Sequence, residues 1–279
     1  MAGAALTWIQ ALSDAVASNV SDLLAPLEAL FTVERVGDGE NAVRVPTSGT
    51  GLTMENITPG TVGGTDADYT LTGVNITPLP RSIQIPIAED ELRRAQDSQI
   101  ADIIARMSEA AHKKIVGLLG TAIETRCAAA AQKVGVGAAQ EFDMALVKEA
   151  KWKLKKNGAP GAPVAIVTPG AMEELETDLE TKNTYSALTD TIVDGAQFFR
   201  YSGVLIYPDI HLGYETATPN IEHNLMSTKN GVRIVYGGTG PEVKILTTSD
   251  PVNVRLAMVV WVAVDIPEET LGMWMRCEV

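Results

Sequence analysis

Residues 80–107 read PRSIQIPIAEDELRRAQDSQIADIIARM, and the hydrophobic period changes within them. Over Ser82, Ile83, Gln84, Ile85, Pro86 and Ile87, polar and apolar residues alternate, which predicts a strand with one apolar face. Pro86 has no amide proton to donate, so that strand is expected at a sheet edge or near its own end. After Glu89, Asp90 and Glu91 the apolar residues fall three and four apart: Ile100, Ile103, Ile104 and Met107, then Ala111, Ile115, Leu118 and Leu119. This is the stripe of a helix running to about residue 131, and the acidic residues at its start suit the positive end of the helix dipole. Residues 97–131 alone would extend about 50 Å at 1.5 Å per residue, more than a compact domain of this size needs. Gly117 and Gly120 weaken a helix interior, so a bend is expected there.

On the N-terminal side, residues 36–80 change character. They are dense in Gly and Thr, poor in bulky apolar residues, and barred from helix by Pro46, Pro59, Pro78 and Pro80. Short β-prone pieces lie at 42–45, 52–57 and 69–77, with a turn expected over 60–68. So long a stretch without a core is unusual inside a compact domain. Thr, Val and Ile favour strands, so the segment is expected to be a long hairpin arm that finds its partner on another chain; disorder is the other reading. Further back, Ile9, Leu12, Val16, Val20, Leu23, Leu27 and Leu30 form one helical stripe over residues 6–31. Pro26 predicts a break or kink near Leu24. This helix either docks on its own domain or packs on a neighbouring subunit.

On the C-terminal side, residues 134–137 (VGVG) read as a linker. Asp143 is expected to cap a helix through Leu154, with Lys151, Lys153, Lys155 and Lys156 at its C-terminal end and Asn157-Gly158 closing it. Residues 163–167 predict a buried strand, after which Thr168 caps a helix that has Pro169 at its first position. Residues 142–180 are thus a small α/β unit. Residues 203–207 (GVLIY) predict another buried strand, stopped by Pro208, while 181–197 reads as a polar run and 209–230 as mixed and loop-like. Further strands are expected at 232–236, 243–247, 252–266 and 273–279, with a bend inside the run 250–266 and a turn at Gly237, Gly238 and Gly240.

Composition limits the roles open to such a chain. Of 279 residues, 46% are hydrophobic and 20% charged, which is ordinary globular material. Lys and Arg number 22 against 35 Asp and Glu, a net charge of −13. That argues against a protein that grips phosphate backbones or an anionic membrane surface. Two cysteines, Cys127 and Cys277, make no disulfide framework, so a reducing compartment is expected. The first basic residue is Arg35, so no secretory signal is expected, and the densest apolar run, 256–264, is far short of the roughly 20 residues a spanning helix needs. A soluble cytoplasmic chain is expected.

No catalytic motif is present: no P-loop, no G-x-G-x-x-G after a strand, no H-E-x-x-H and no G-x-S-x-G. Asp209, His211, Glu222 and His223 could meet around a metal, but their spacing matches no standard ligand set. Nothing in the sequence activates Cys127 as a nucleophile. His112 falls on the polar side of the long helix and reads as solvated. The Thr168-Pro169-Gly170 turn could hold an anion on its N–H groups, though a plain cap is the simpler reading. The lysine run reads as a solvated helix end rather than a nucleic-acid site. No catalytic, cofactor or metal residue is assigned.

Three segments carry a family likeness in this order: 80–107, then ALVKEAKWKLKKNGAPGAPVAIVTPGAMEEL at 145–175, then YSGVLIYPDI at 201–210. Together with the overall layout they resemble the major capsid proteins of tailed phages, which have the Hong Kong 97-type capsid fold. The resemblance spans nearly the whole chain and lies in layout rather than in an invariant motif. It implies an α+β fold with an N-terminal arm (1–35), an extended β-hairpin loop (36–81), a peripheral domain with a long spine helix and a β-sheet (82–137), an α/β axial domain (138–226) and return strands to the peripheral sheet (227–279). It implies a structural role with no catalysis and no cofactor. The chain would self-assemble as a homo-oligomer of pentamers and hexamers into the icosahedral head of a double-stranded DNA phage, in the host cytoplasm. Portal, scaffold and decoration proteins would be further partners. The DNA would be enclosed without sequence-specific binding, and no membrane is involved.

Some members of that family weld the shell by an isopeptide bond between a loop lysine and an asparagine of another subunit. Here the first lysine is Lys113, so the loop has none and no such cross-link through it is expected. Asp66 and Asp68, near the loop tip, are expected to meet a basic patch on an adjoining copy, with Arg93 and Arg94 as its candidates. Glycines at 60–64 and 135–137 are candidate hinges. Two other readings stay open. One is an encapsulin, a bacterial cargo shell thought to share the fold. The other is an α/β enzyme built on residues 142–180, which would have to account for the core-poor segment at 36–80.

Overall fold

Two sheets of opposite character organise the chain, and the long helix lies between them. The computed structural model describes residues 2–37, 40–47, 73–88, 97–135, 141–184, 187–193, 196–215, 220–246 and 253–277. The first helix, α1 (Ala2–Leu30), leads into β1 (Thr32–Arg35); the ribbon strands β2 (Val43–Pro46) and β3 (Gly73–Ile76) follow, then β4 (Leu79–Ala88). The long helix α2 spans Asp97–Arg126, about 45 Å by its length, and ends before a single 3-10 turn at Ala130–Gln132 rather than at 131. It runs unbroken through Gly117 and Gly120. Met107, Ala111, Ile115 and Leu119 are buried along its stripe, as their spacing requires.

The helix α1 continues past Pro26 as one element, although a break was expected there. Its second half buries Val16, Val20, Leu24, Leu27 and Leu30 in the core shared with α2. Leu24, not Leu23, continues the inward face, and Leu23 is 41% exposed. The sequence stripe took the wrong one of two adjacent leucines.

Four strands make the first sheet, in the order β1, β11 (Arg233–Leu246), β12 (Asn253–Asp265), β4. β1 pairs with β11 in parallel and the other neighbours are antiparallel. β4 is an edge strand, as Pro86 predicted. One face of this sheet (Ile234, Tyr236, Met258, Val260 and Val262) packs on α1 and α2. On the other face Val235 meets Val45 and Ile76 of the antiparallel ribbon β2–β3, which so lies across its own sheet at its root. At the far end of α2, Arg126 makes two hydrogen bonds of 2.9 Å to the carboxylate of Asp265 at the end of β12.

The second sheet has seven strands, in the order β5 (Lys133–Val134), β13 (Gly272–Met275), β10 (Asn224–Thr228), β6 (Pro163–Val167), β9 (Val204–Pro208), β8 (Ala196–Tyr201), β7 (Leu188–Val193). Pleating divides its side chains between two cores. Val164, Ile166, Leu225 and Trp274 face the core around α2. Ala165, Val167, Met226, Met273 and Met275 face a separate core closed by α3 (Met144–Lys156) and α4 (Pro169–Thr181). Both helices start as their sequences require. Asp143 accepts from the Leu146 amide at 2.7 Å and Thr168 from the Ala171 amide at 3.2 Å.

Several expectations are corrected here. Leu188–Val193 and Ala196–Tyr201 pair as the antiparallel strands β7 and β8, which the polar run did not suggest; the Thr and Asp of LTDTIV suit the position of β7 at the end of the strand order. The stretch 209–230 contains β10, a fully buried central strand. Its polar composition hid it, and the structure supplies the missing partners: Asn224 Oδ1 accepts from the Thr168 amide at 2.7 Å and Ser227 Oγ donates to the Leu271 carbonyl at 2.7 Å. The strands expected at 232–236 and 243–247 are one element, and the glycines between them are an irregularity in its pairing, with the register shifting between Gly237 and Glu242. Gly237 allows a close approach, since a Cβ there would stand 2.9 Å from Cβ of Trp261. None of the described helices is long and apolar enough to cross a membrane.

Candidate assembly surfaces and a buried polar seam

The four residues singled out as an assembly contact, Asp66, Asp68, Arg93 and Arg94, lie outside the described residues. What is described is the platform on either side of them. The last described pairing of the ribbon β2–β3 is Pro46↔Gly73, and after β3 the chain passes through the buried Pro78 directly into edge strand β4. Beside this root Leu79 and Trp261 are half exposed. Between β4 and α2 lies a cleft of about 450 Å³, with Arg81, Ile83, Ala110, Lys114 and Met258 among its walls.

Three histidines occur in the chain, and each faces a carboxylate across one seam, between α2 and residues 209–223. His112 Nε2 lies 2.9 Å from Asp209 Oδ2, with both side chains buried. His211 Nε2 is 4.0 Å from Glu109, and its ring stands edge-on to His112 with centroids 5.3 Å apart. His223 Nε2 is 2.8 Å from Glu124. His112 is therefore not the solvated residue that its helix position suggested. It follows the buried Ser108 by four and precedes Ile115 by three, which puts it on the flank of the apolar stripe. That spacing was the available signal. Burial lowers the His223 pKa below its ordinary value, and the opposing pull of Glu124 does not restore it. A neutral ring that donates from Nε2 to the carboxylate fits this shift.

The candidate metal set does not come together as one site. Asp209 and His211 pair with α2 near His112, while His223 pairs with Glu124 and Glu222 belongs to a third cluster. Among the described residues no group of three or more His, Cys, Asp and Glu could hold a metal ion. In the third cluster Asn224 Nδ2 donates to Glu222 Oε2 at 2.7 Å, and the Cys277 thiol lies 3.0 Å from the same oxygen. The Glu222 carboxylate also stands beside the Thr168-Pro169-Gly170 turn, its Oε1 3.3 Å from where a Cβ on Gly170 would sit. The turn read as a possible anion site thus has the chain's own carboxylate next to it. Burial is the main cause that raises both thiol pKa values, Cys127 to about 12 and Cys277 further, where the Glu222 carboxylate adds to it. Neither sulfur is an activated nucleophile.

No sequence-family model matches the chain, and no curated protein matches it in sequence. Solved structures do match. The capsid of cyanophage P-SCSP1u superposes with a TM-score of 0.64 at 13% identity, over 90% of this chain and 87% of that one. The holo-SrpI encapsulin complex of Synechococcus elongatus PCC 7942 gives 0.64 at 13% identity, over 91% and 87%. The chain has the Hong Kong 97-type capsid fold. A virus-like particle from Pyrococcus furiosus extends the match to 97% of this chain and 99% of that one, with a TM-score of 0.56 at 12% identity. The α+β class expected from the sequence holds, and the Hong Kong 97-type fold accounts for a helix as long as α2 beside two sheets. The pairs across the seam join parts of the one chain, while the ribbon root and the outer helix faces of α3 and α4 carry exposed residues such as Leu79, Trp261 and Trp152.

Proposed function

We propose that the chain is a major capsid protein that self-assembles into the icosahedral head of a tailed double-stranded DNA phage. The observation that carries this reading is the fold match over about nine-tenths of this chain and of the phage capsid subunits it superposes on. The sparse bulky apolar residues of 36–81 agree with it, because a segment with little to bury beyond its root at Val45 and Ile76 gains stability by lying on an adjoining copy. In this reading residues 1–35 are the N-terminal arm, 36–81 the extended loop, 82–137 and 227–279 the peripheral domain, and 138–226 the axial domain. Asp66 and Asp68 meet Arg93 and Arg94 of a neighbour. Many contacts of roughly 1,200–2,000 Å², repeated by symmetry, close the container as pentamers and hexamers. The role is structural, and an acidic chain suits a shell that encloses DNA without gripping it.

Negative-stain microscopy and sedimentation of the expressed chain test this. Closed megadalton shells are expected, and a monodisperse monomer would overturn the reading. The equal match to the encapsulin favours a second reading, a cargo shell of the same architecture. Shells isolated from the source organism separate the two: packaged double-stranded DNA supports the phage head, and a co-purifying protein cargo supports the encapsulin. Charge reversal at Asp66 and Asp68 should lower the yield of shells, and an unchanged yield would remove that contact.

A further inference from the structure

The helices α3 and α4 lie side by side on one face of the seven-stranded sheet and carry opposite charge. Lys148, Lys151, Lys153, Lys155 and Lys156 are five of the eleven lysines in the sequence; against the single Glu149 they give α3 a charge of 5 − 1 = +4. The helix α4 carries Glu173, Glu174, Glu176, Asp178 and Glu180 and no basic residue.

Part of this charge is used inside the chain. Lys153 reaches Glu149 at 3.1 Å and the Lys133 carbonyl at 3.0 Å, and Lys151 donates to the Ser202 carbonyl. Glu174 accepts from the Phe142 amide at 2.6 Å, and Asp178 pairs with Lys182 at 2.6 Å. What remains faces outward. On α3 the exposed Lys148, Trp152, Lys155 and Lys156 share one face by their spacing of three and four; the Lys155 ammonium sits 5.5 Å over the Trp152 ring, and that of Lys148 6.0 Å over the Tyr201 ring. Trp152 is 67% exposed, a large aromatic side chain turned mostly to the surface. On α4 Glu173, Glu176 and Glu180 share a face by the same rule. The Glu176 carboxyl is raised above its ordinary range, first by burial and then by the negative charge of Asp190, Glu180 and Glu173.

We propose that the lysine face of α3 in one copy, anchored by Trp152, docks on the Glu173–Glu176–Glu180 face of α4 in the next copy. This rests on the shell reading above. Two different faces joined between identical chains make a heterologous contact, which closes into a ring when repeated by rotation. Opposed charge fixes which faces meet, and like-charged alternatives are costly. The exposed tryptophan between lysines matches the aromatic anchors that dominate interface cores.

The test uses the full chain in two charge-reversed forms. One carries Lys148→Glu, Lys155→Glu and Lys156→Glu; the other carries Glu173→Lys, Glu176→Lys and Glu180→Lys. Each alone should lower the yield of sedimenting shells by at least about tenfold. A chain carrying both sets should recover assembly, and a mixture of the two singly reversed chains should recover alternating six-membered rings, since a five-membered ring must keep one like-charged contact. Recovery in the mixture cannot come from chains that fail to fold. Wild-type yield from the lysine-reversed chain would overturn the docking and leave the shell reading intact; absence of shells from the wild-type chain would instead remove the shell reading. Loss of assembly with no recovery in either combination would overturn the complementarity. If the lysine reversal removed only bound nucleic acid, and the glutamate reversal changed nothing, the lysine face would be a nucleic-acid surface and the proposal would be wrong.

Discussion

His112 Nε2 and Asp209 Oδ2 stand 2.9 Å apart with both side chains buried, so one pair of groups ties the long helix to the chain leaving β9. Asp209 is used twice, because its Oδ1 also accepts from the His211 amide at 2.8 Å. Removing the carboxylate would leave a buried imidazole and a half-buried amide without these partners. Asp209→Ala is therefore expected to lower stability by roughly 3 kcal/mol, and Asp209→Asn, which keeps an acceptor oxygen, by less. Denaturant unfolding of the unassembled chain measures both. Equal midpoints for Asp209→Ala and wild type would show that the pair contributes nothing.

Two glycines of α2, three residues apart, should respond in opposite directions. A Cβ on Gly117 meets nothing within 4 Å, so Gly117→Ala is expected to gain up to about 1 kcal/mol from helix propensity. A Cβ on Gly120 would stand 2.8 Å from Nδ1 of His223, so Gly120→Ala must push the ring away from Glu124 and is expected to cost roughly 1–3 kcal/mol. Thermal unfolding of the two variants compares them, and a stabilised Gly120→Ala would contradict the packing described.

His223 gives a signed dependence on pH. Its folded pKa lies below the ordinary 6.5, chiefly because burial disfavours the charged ring. As pH falls through 6.5 the unfolded chain takes up a proton that the folded chain resists, so stability declines until the lower folded value is passed. Between about pH 7 and 5.5, wild type should lose more stability than His223→Gln. Glu174 and Glu176, whose folded pKa values are raised above 4.5, act in the opposite sense and mainly at lower pH. Parallel curves for the two proteins across this window would count against the assignment.

Both thiols should resist alkylation. Cys127 and Cys277 are buried and their pKa values are raised, Cys127 to about 12, so almost no thiolate is present at neutral pH. A maleimide or iodoacetamide reagent at pH 7.5 is expected to leave the folded chain unmodified and to label two sites after denaturation. Rapid labelling of either cysteine in the folded chain would be inconsistent with this packing.

The sequence announced its helices and fully apolar strands because those carry their own period. The stripe of α2, the caps Asp143 and Thr168 and the strand Pro163–Val167 are each written in a few adjacent residues. β10 was hidden because the buried Asn224 and Ser227 find their partners far along the chain, at Thr168 and Leu271. His112 was misplaced for the same reason, since its partner is 97 residues away. Leu23 and Leu24 differ by one helical step of about 100°, and the positions of α2 and β11 decide which turns inward. The charges of α3 and α4 were visible, but their placement side by side on one sheet face was not, because it depends on the order of seven strands.

The ribbon is spliced to the body in a way that has a mechanical consequence. From β3 the chain continues through Pro78 into β4, which is zipped to β12 over ten successive pairings, from Asn253↔Ala88 to Val262↔Leu79. A tug on the ribbon therefore acts along the strand axis and loads this whole ladder in shear, so its hydrogen bonds resist together instead of peeling one after another. The tether gives way as a block or holds, and any pull it receives is passed into the interior of the four-stranded sheet.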